Sequence, residues 1–396
     1  MKLNLYQLCD KKHNKGSIKA ILNDNLKNKI KESIIKLKQQ KIKFKDISKQ
    51  INIDYTTLWK YLNKSDSISL NILESLERIS NIDFHSYIEE LKYSHGSFVI
   101  RCNKQMNEDL AKIIGTIIAD GHLRYRKSER GHHYELIIRE GHKSNLDAFC
   151  KWFLKFFNIK LMPKKLDNHY FIYISNKIIF KFFNSVIGIT SGKKAGTVFV
   201  PGIIKNSNLN IKKTFLQGIF MFDGGVDYRT GYVNLISKSR NLIEETIQIL
   251  KELKLEPDFI DLQPDRFGRY KIRYRKLLKL KKCMILFEKN TEKWFRLKEH
   301  LYGLDGRTKD LKVAIKSFDL YYPKVRSSSI TFSDIILAVS KLKKVDVIIA
   351  SKAINRNRTV TYEFLHKLEK WGIFQSQRIG LKKYYHLKSN FKIPRR

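Results

Sequence analysis

Two aspartates, Asp120 and Asp223, each end an apolar stretch and each precede a glycine. The two stretches read IIGTIIADG and LQGIFMFDG, and their apolar runs predict helices. A carboxylate at the carboxyl end of a helix faces the negative end of the helix dipole. A divalent cation relieves that conflict, because it takes carboxylate and backbone carbonyl oxygens as ligands. The pair therefore predicts a metal site built from two similar segments.

A second glycine in each stretch can bring the two aspartates together. Gly115 and Gly218 each lie five positions before the aspartate of their own stretch. A residue without a side chain lets two helices approach closely, so packing at these glycines places both aspartates in one site. Each aspartate also directly precedes a glycine, which suits the left-handed position that follows a helix. The alternative for either stretch alone is a helix-capping Asp-Gly pair.

The same order of elements follows each Asp-Gly pair: a hairpin, an amphipathic helix, a second hairpin and a closing helix. This order predicts a duplicated αββαββα unit. In the first copy the predicted strands and helices cover residues 123–127, 134–140, 146–157, 161–165, 170–174 and 178–187. In the second copy they cover residues 226–228, 232–236, 242–253, 258–262, 269–274 and 277–287.

The paired motif and this order of elements resemble the LAGLIDADG (dodecapeptide) homing endonucleases in their single-chain, two-repeat form. The resemblance covers roughly residues 109–287. It implies an α+β fold of two pseudo-symmetric repeats, whose motif helices form the interface and whose strands form a saddle for the major groove of double-stranded DNA. It also implies that Asp120 and Asp223 bind divalent metal ions, Mg²⁺ or Mn²⁺, that cleave one strand each.

The resemblance further implies a basic residue near the site, where a strand ends before the next helix. Lys238 matches this place in the second repeat. In the first repeat His142 aligns with Lys238, and Lys143 follows it. These three residues join the aspartates as candidate catalytic residues. Phosphate anchoring or plain surface charge is the alternative role for the lysines.

The charge of the chain favours a polyanionic partner. Its 78 Lys and Arg residues exceed its 38 Asp and Glu residues and give a formal net charge of +40. An AT-rich genome also enriches lysine, so the placement of arginine carries more weight than the total. Cations alternate with apolar residues over 269–275, which predicts one basic face of a strand. The candidate DNA-binding residues of the repeats are Arg124, Arg126, Arg139, Arg229, Arg269, Lys271, Arg273 and Arg275.

Two further regions flank the repeats, and we expect domains at 1–95, 105–205, 206–320 and 328–396. Residues 1–95 predict an all-α helix-turn-helix domain in which Tyr55, Thr56 and Lys60 face DNA; the alternative is a helical bundle that reads no DNA. Residues 93–104 predict a linker. Residues 328–396 predict three helices and a hairpin around Gly380, typical of a winged helix or, alternatively, of a dimerisation or packing appendage.

The function that these features favour is a site-specific, metal-dependent DNA endonuclease that makes a double-strand break at a long recognition site. The alternatives are a non-catalytic transcriptional regulator that retains the nuclease fold and an RNA-splicing maturase. Four scattered cysteines disfavour a zinc site or a disulfide framework. No apolar stretch is long enough to span a bilayer, so we expect a cytoplasmic protein without a membrane partner. We also expect a monomer. Its first and last residues disfavour an intein.

Overall fold

The computed structural model describes residues 2–9, 18–94, 98–129, 131–192, 195–227, 232–289, 291–302, 332–342, 345–370 and 372–388. The chain forms two compact units. The first unit contains residues 1–224, 236–256 and 261–271, and the second contains 225–235, 257–260 and 272–396. Among the described residues, no helix is both long and apolar enough to cross a membrane.

The described part of the N-terminal region combines four α-helices with a four-stranded sheet. The helices are α1 (Asp24–Gln39), α2 (Phe44–Gln50), α3 (Tyr55–Asn63) and α4 (Leu70–Ser80). The strands are β1 (Ile18–Ile21), β2 (Ser67–Ser69), β3 (Glu90–Tyr93) and β4 (Val99–Arg101), in the order β2-β1-β3-β4. The predictions of an all-α region and of a linker over 93–104 are therefore wrong. Strands of three or four residues are too short to show an alternating pattern, and β1 pairs with partners far away in the sequence.

The first repeat follows the predicted order closely. Its elements are α5 (Glu108–Ala119), β5 (Gly121–Ser128), β6 (Gly131–Glu140), α6 (Lys143–Phe157), β7 (Lys164–Leu166), β8 (His169–Ser175) and α7 (Lys177–Lys181), which a π-helical turn (Phe182–Val186) extends. The sheet has the order β5-β6-β8-β7, and its neighbouring strands are antiparallel.

The two faces of this sheet differ in polarity. One face carries buried side chains that form part of the core: Leu123, Leu136, Ile138, Ile172 and Ile174. The pairing of β5 with β6 sets Arg124 opposite Glu135 and Leu123 opposite Leu136. Because side chains alternate along a strand, Arg124, Arg126 and Arg139 all lie on the face opposite the core.

The second repeat contains the helices α8 (Gly202–Lys205), α9 (Leu209–Phe222), α10 (Arg240–Glu252), α11 (Leu277–Cys283) and α12 (Glu292–Tyr302). Its strands are β9 (Gly224–Val226), β10 (Val233–Ser237), β11 (Phe259–Asp261) and β12 (Tyr270–Tyr274), in the order β11-β12-β10-β9. Mixed helices and sheets confirm the predicted α+β class.

The described part of the C-terminal region has three helices and a hairpin around Gly380, as predicted. They are α13 (Phe332–Lys341), α14 (Val347–Ala353), α15 (Arg358–Lys370), β13 (Phe374–Ile379) and β14 (Lys382–Leu387). The two strands are antiparallel, and Tyr385 of the hairpin is buried with Val339 and Leu365 of the helices. The assignment of this region as a winged helix stays a prediction, as does the division of the chain into four domains.

Candidate active site and nucleic-acid interface

The two motif helices begin in the same way. Asn107 precedes α5, and its side-chain oxygen accepts a hydrogen bond of 2.9 Å from the Leu110 N–H. Asn208 precedes α9 and accepts one of 3.0 Å from the Ile211 N–H. Asparagine is favoured at this position because it satisfies an N–H group that has no partner within the helix. The duplication therefore extends to the start of each helix.

The helices α5 and α9 pack through their glycines. A Cβ atom on Gly115 would overlap the carbonyl oxygen of Phe215 and lie 3.1 Å from Gly218 Cα. A Cβ atom on Gly218 would overlap the carbonyl oxygen of Lys112 and lie 3.1 Å from Gly115 Cα. Since the atoms in the way belong to the backbone, no side-chain movement can make room. The structure thus shows the close approach that the sequence predicts.

The two motif helices run in the same direction. At their first turns, the Asn210 side chain donates a hydrogen bond to the Glu108 carboxylate, and their middles meet at the glycines. Asp120 and Asp223 each follow their glycine by five residues, which is about 7.5 Å along a helix. The structure therefore places both aspartates at the same end of the helix pair and at the same height.

Each aspartate is the C-cap residue that directly follows its helix. The Asp120 N–H donates to the Thr116 carbonyl at 3.0 Å, and the Asp223 N–H donates to the Ile219 carbonyl at 2.9 Å. The glycines that follow do not adopt the left-handed conformation, so that part of the prediction is wrong. Glycine is needed there because the next strand begins at once: a Cβ on Gly121 would lie 2.7 Å from the Ile117 carbonyl oxygen.

The protein groups at this place could supply some, but not all, of the ligands of a divalent cation. Within the described ranges, no three His, Cys, Asp or Glu side chains come together in a way that could hold a metal ion. Asp120 is exposed and Asp223 is half-buried, each beside the carbonyl groups that end its helix. Two carboxylates at two helix ends form an oxygen-rich, electronegative place that suits a hard cation, with water and a phosphate as further ligands.

The candidate basic residues lie at the starts of α6 and α10. Lys238 is exposed in the bend between β10 and α10. His142 is half-buried at the N-cap of α6, and its N–H donates to Glu140 at 3.1 Å. The Lys143 ammonium lies 2.9 Å from both carboxylate oxygens of Asp147, one helical turn further on.

The candidate DNA-binding arginines differ in what they contact. Arg124 and Arg126 bind Glu135, and Arg139 is exposed on the same face. In β12, Ile272 and Tyr274 are buried whereas Lys271 and Arg273 are half-buried, so the predicted alternation is present. Arg269 forms an ion pair with Asp265 at 2.7 Å, and the Arg275 guanidinium lies 4.7 Å from the Phe259 ring centre. Arg229 lies outside the described residues.

The comparisons with known sequences found short matches. No family model matches the chain. The chain is similar to a DNA polymerase of Thermococcus sp. (strain GE8), with 27% identity over 150 residues, 38% of this chain and 8% of that protein. It is also similar to the replication factor C small subunit of Methanocaldococcus jannaschii, with 33% identity over 173 residues, 37% of this chain and 9% of that protein. The chain thus spans less than a tenth of each of these relatives.

Solved structures similar to the chain include I-DmoI in complex with DNA and Mn (18% identity, 47% of this chain, 100% of that chain, TM-score 0.37). They also include the homing endonuclease I-WcaI bound to its DNA recognition sequence (15%, 50%, 88%, 0.32) and the N-terminal LAGLIDADG domain of DUF199/WhiA (12%, 46%, 84%, 0.29). Within the chain itself, the two glycine-packed helices that lead to Asp120 and Asp223 are the central feature of the repeats.

The repeats also contain a buried polar residue that the sequence analysis missed. Asn145 is buried at the start of α6, and its amide nitrogen lies 3.1 Å from Glu140 Oε2 and 3.4 Å from the Met221 carbonyl oxygen. Asn145 therefore links the end of β6 to the last turn of α9, two residues before Asp223. No sequence signal connects residues 145 and 221, because their contact depends on how the two repeats pack.

A buried carboxylate on the first sheet makes the stability of the core depend on pH. Burial alone would raise the pKa of Glu135, but hydrogen bonds from Arg126, Arg124 and Tyr173 lower it to about 2. A lowered pKa stabilises the fold above the ordinary value of 4.5, and this contribution is lost as the pH falls toward 2. We expect urea unfolding between pH 6 and 2.5 to show a loss of about 3 kcal/mol from this group. Glu135→Gln should lack this part of the pH dependence; an unchanged profile would contradict the assignment.

Proposed function

We propose that this chain is a site-specific, divalent-metal-dependent DNA endonuclease that makes a double-strand break at a long recognition site. The observation that carries the proposal is the placement of Asp120 and Asp223 at one end of a parallel, glycine-packed helix pair. A single carboxylate at a helix end is commonplace. Here two carboxylates lie at the same height, and each is followed later in its repeat by a basic candidate residue. This pairing suits the hydrolysis of two DNA strands.

In this proposal Asp120 and Asp223 hold Mg²⁺ or Mn²⁺ between the protein and the scissile phosphates. When bound, such cations polarise a phosphate and make water more acidic. The chain itself fixes the backbone that carries the two carboxylates, because backbone contacts at Gly115 and Gly218 leave little freedom to the two helices. Fixed oxygen ligands need no rearrangement when the phosphate arrives, which is the main advantage of a preorganised site.

The basic candidates take different roles in the two repeats. Lys238 is exposed at the start of α10 and is available to hold a phosphate or a water molecule near Asp223. In the first repeat Lys143 lies against Asp147, and His142 precedes it at the N-cap of α6, so a histidine stands where the second repeat has a lysine. The two strands of the duplex would then be cleaved at unequal rates.

The basic face of β12 supplies a phosphate contact in this proposal. Arg273 is half-buried, so part of its side chain remains accessible to a phosphate on the same face as Lys271. We expect Arg273→Ala to weaken binding about tenfold and to reduce the slope of log affinity against log salt by about one. Lys251→Ala, which removes an exposed cation from α10, is the control; an equal effect of both changes would refute a specific contact.

The flanking regions are proposed to extend the DNA contact. On α3, Tyr55, Thr56 and Lys60 are exposed, as is Trp59, which presents an aromatic ring beside them. Aromatic and basic side chains on one exposed helix suit nucleic acid, and the same surface would serve the alternative function of a non-catalytic transcriptional regulator. The regulator and the endonuclease both bind duplex DNA, and only the endonuclease cuts it.

The proposal is tested by selection on a randomised duplex library, with Mg²⁺ in one arm and Ca²⁺ in the other. Bound and cut molecules are scored separately. We expect one discrete sequence to be enriched in both arms and to be cut only with Mg²⁺. Specific enrichment without cutting with Mg²⁺ or Mn²⁺ would favour the regulator, and enrichment of structured RNA over duplex DNA in a parallel pool would favour a maturase.

A further inference from the structure

One buried carboxylate holds the two arginines of β5. The Glu135 side chain is 0% exposed. Its Oε2 accepts a hydrogen bond of 2.6 Å from Arg124 Nε, and its Oε1 accepts one of 2.6 Å from Arg126 Nη2. The Tyr173 hydroxyl of β8 donates to the same Oε1 at 2.8 Å. Both oxygens of the carboxylate are thus engaged by three donors from two neighbouring strands.

On this sheet the two arginine side chains are accessible to solvent, whereas the Glu135 carboxylate is not. Glu135 pairs with Arg124 across the strands, and both lie on the face opposite the apolar core. The Arg124 and Arg126 side chains remain 38% and 52% exposed, whereas Glu135 is inaccessible. A molecule that docks on this face therefore meets two guanidinium groups and does not reach the carboxylate.

Holding an arginine before binding changes what it can recognise. A mobile arginine loses side-chain entropy when it binds, and fixing it beforehand removes much of that cost. A fixed guanidinium also offers two parallel donors, which match the N7 and O6 acceptors of guanine in the major groove. A phosphate needs no such alignment, because it attracts any nearby cation.

We propose that Glu135 is a positioning residue that aligns Arg124 and Arg126 to read guanine bases in duplex DNA. This inference depends on one part of the proposed function, namely that the chain binds a preferred DNA sequence. Residues two apart on a strand are separated by about 6.8 Å, and base pairs by about 3.4 Å. This spacing matches two guanines about two base steps apart. If Glu135 only neutralised charge, its removal would strengthen binding to every sequence alike.

The experiment uses the full chain in Ca²⁺ and the duplex selected from the library. Dissociation constants are measured for this duplex, for copies with 7-deazaguanine at single positions, and for an unrelated duplex. We expect the wild type to lose about tenfold in affinity at each of two nearby guanines. Glu135→Gln should lose this discrimination, while its binding to the unrelated duplex stays equal or becomes tighter, because one negative charge is gone.

A second variant keeps the test valid if Glu135→Gln fails to fold. Arg126→Lys retains the positive charge but cannot form two parallel hydrogen bonds, so it should lose discrimination at one guanine only. Lys127→Gln, the adjacent cation on the other face of β5, is the control and should leave the discrimination between duplexes unchanged. Unchanged discrimination between duplexes in Glu135→Gln or in Arg126→Lys would overturn this inference but not the proposed function. A wild type without any preferred duplex would instead overturn the proposed function.

Discussion

Asp223→Asn should abolish double-strand cleavage while leaving DNA binding nearly unchanged. The amide keeps the size of the side chain but removes the negative charge that, in the proposed function, would hold a cation at the end of α9. Loss of a preorganised electrostatic contact to the reacting phosphate typically lowers rates by about a thousandfold. Cleavage is measured in Mg²⁺ on the selected duplex with both strands labelled, and binding is measured in Ca²⁺. Asp120→Asn should behave in the same way, because Asp120 holds the equivalent position on α5.

The control for these variants is Asp167→Asn. Asp167 is exposed in the turn between β7 and β8, at a φ of 49° that asparagine also tolerates. This change removes the same charge from the first repeat without touching the helix ends, and cleavage should persist. Intact double-strand cleavage by Asp223→Asn or Asp120→Asn would contradict the assignment of these aspartates as metal ligands.

Gly218→Ala should destabilise the whole core. The added methyl group would overlap the Lys112 carbonyl oxygen and press against Gly115 Cα, and both obstacles are backbone atoms of α5. Alanine gains about 1 kcal/mol of helix propensity over glycine, but forcing two packed helices apart costs more. We expect a net loss of about 3 kcal/mol in the free energy of unfolding, measured by urea denaturation, together with loss of cleavage.

Gly141→Ala is the matched control for Gly218→Ala. Gly141 lies between β6 and α6, and a Cβ atom there would meet no other atom within 4 Å. Its stability should stay within about 0.5 kcal/mol of the wild type. Equal stability of Gly218→Ala and Gly141→Ala would mean that the helices do not pack through their glycines in solution.

Local patterns predicted most elements of the two repeats. The helices that end at Asp120 and Asp223, and the strands that follow them, have strong apolar periodicity and clear turn residues between them. The glycines of the motif predicted the helix contact, because a glycine inside an apolar helix weakens it unless something packs there. The three described C-terminal helices also agreed with the prediction, because their apolar residues recur at helical spacing.

The N-terminal sheet and the polar clusters could not be read from local patterns. The strands β1 and β2 are too short for a pattern and pair across the whole of α1, α2 and α3. The contact of Asn145 with the Met221 carbonyl group depends on packing between repeats. Glu135 is a different case. The hairpin of β5 and β6 pairs Ser128 with Gly131 and sets Arg124 opposite Glu135. A tight turn assumed between the predicted strands would therefore have revealed this pair.

The most direct test of the central claim is strand-resolved cleavage of the selected duplex by the wild-type chain. The two strands carry different labels, and reactions run in parallel with Mg²⁺ and with Ca²⁺. If Asp120 and Asp223 each serve one strand, both strands should be cut at fixed positions with Mg²⁺ and neither with Ca²⁺. Tight, specific binding with both strands intact in Mg²⁺ and in Mn²⁺ would contradict the endonuclease and leave a DNA-binding regulator.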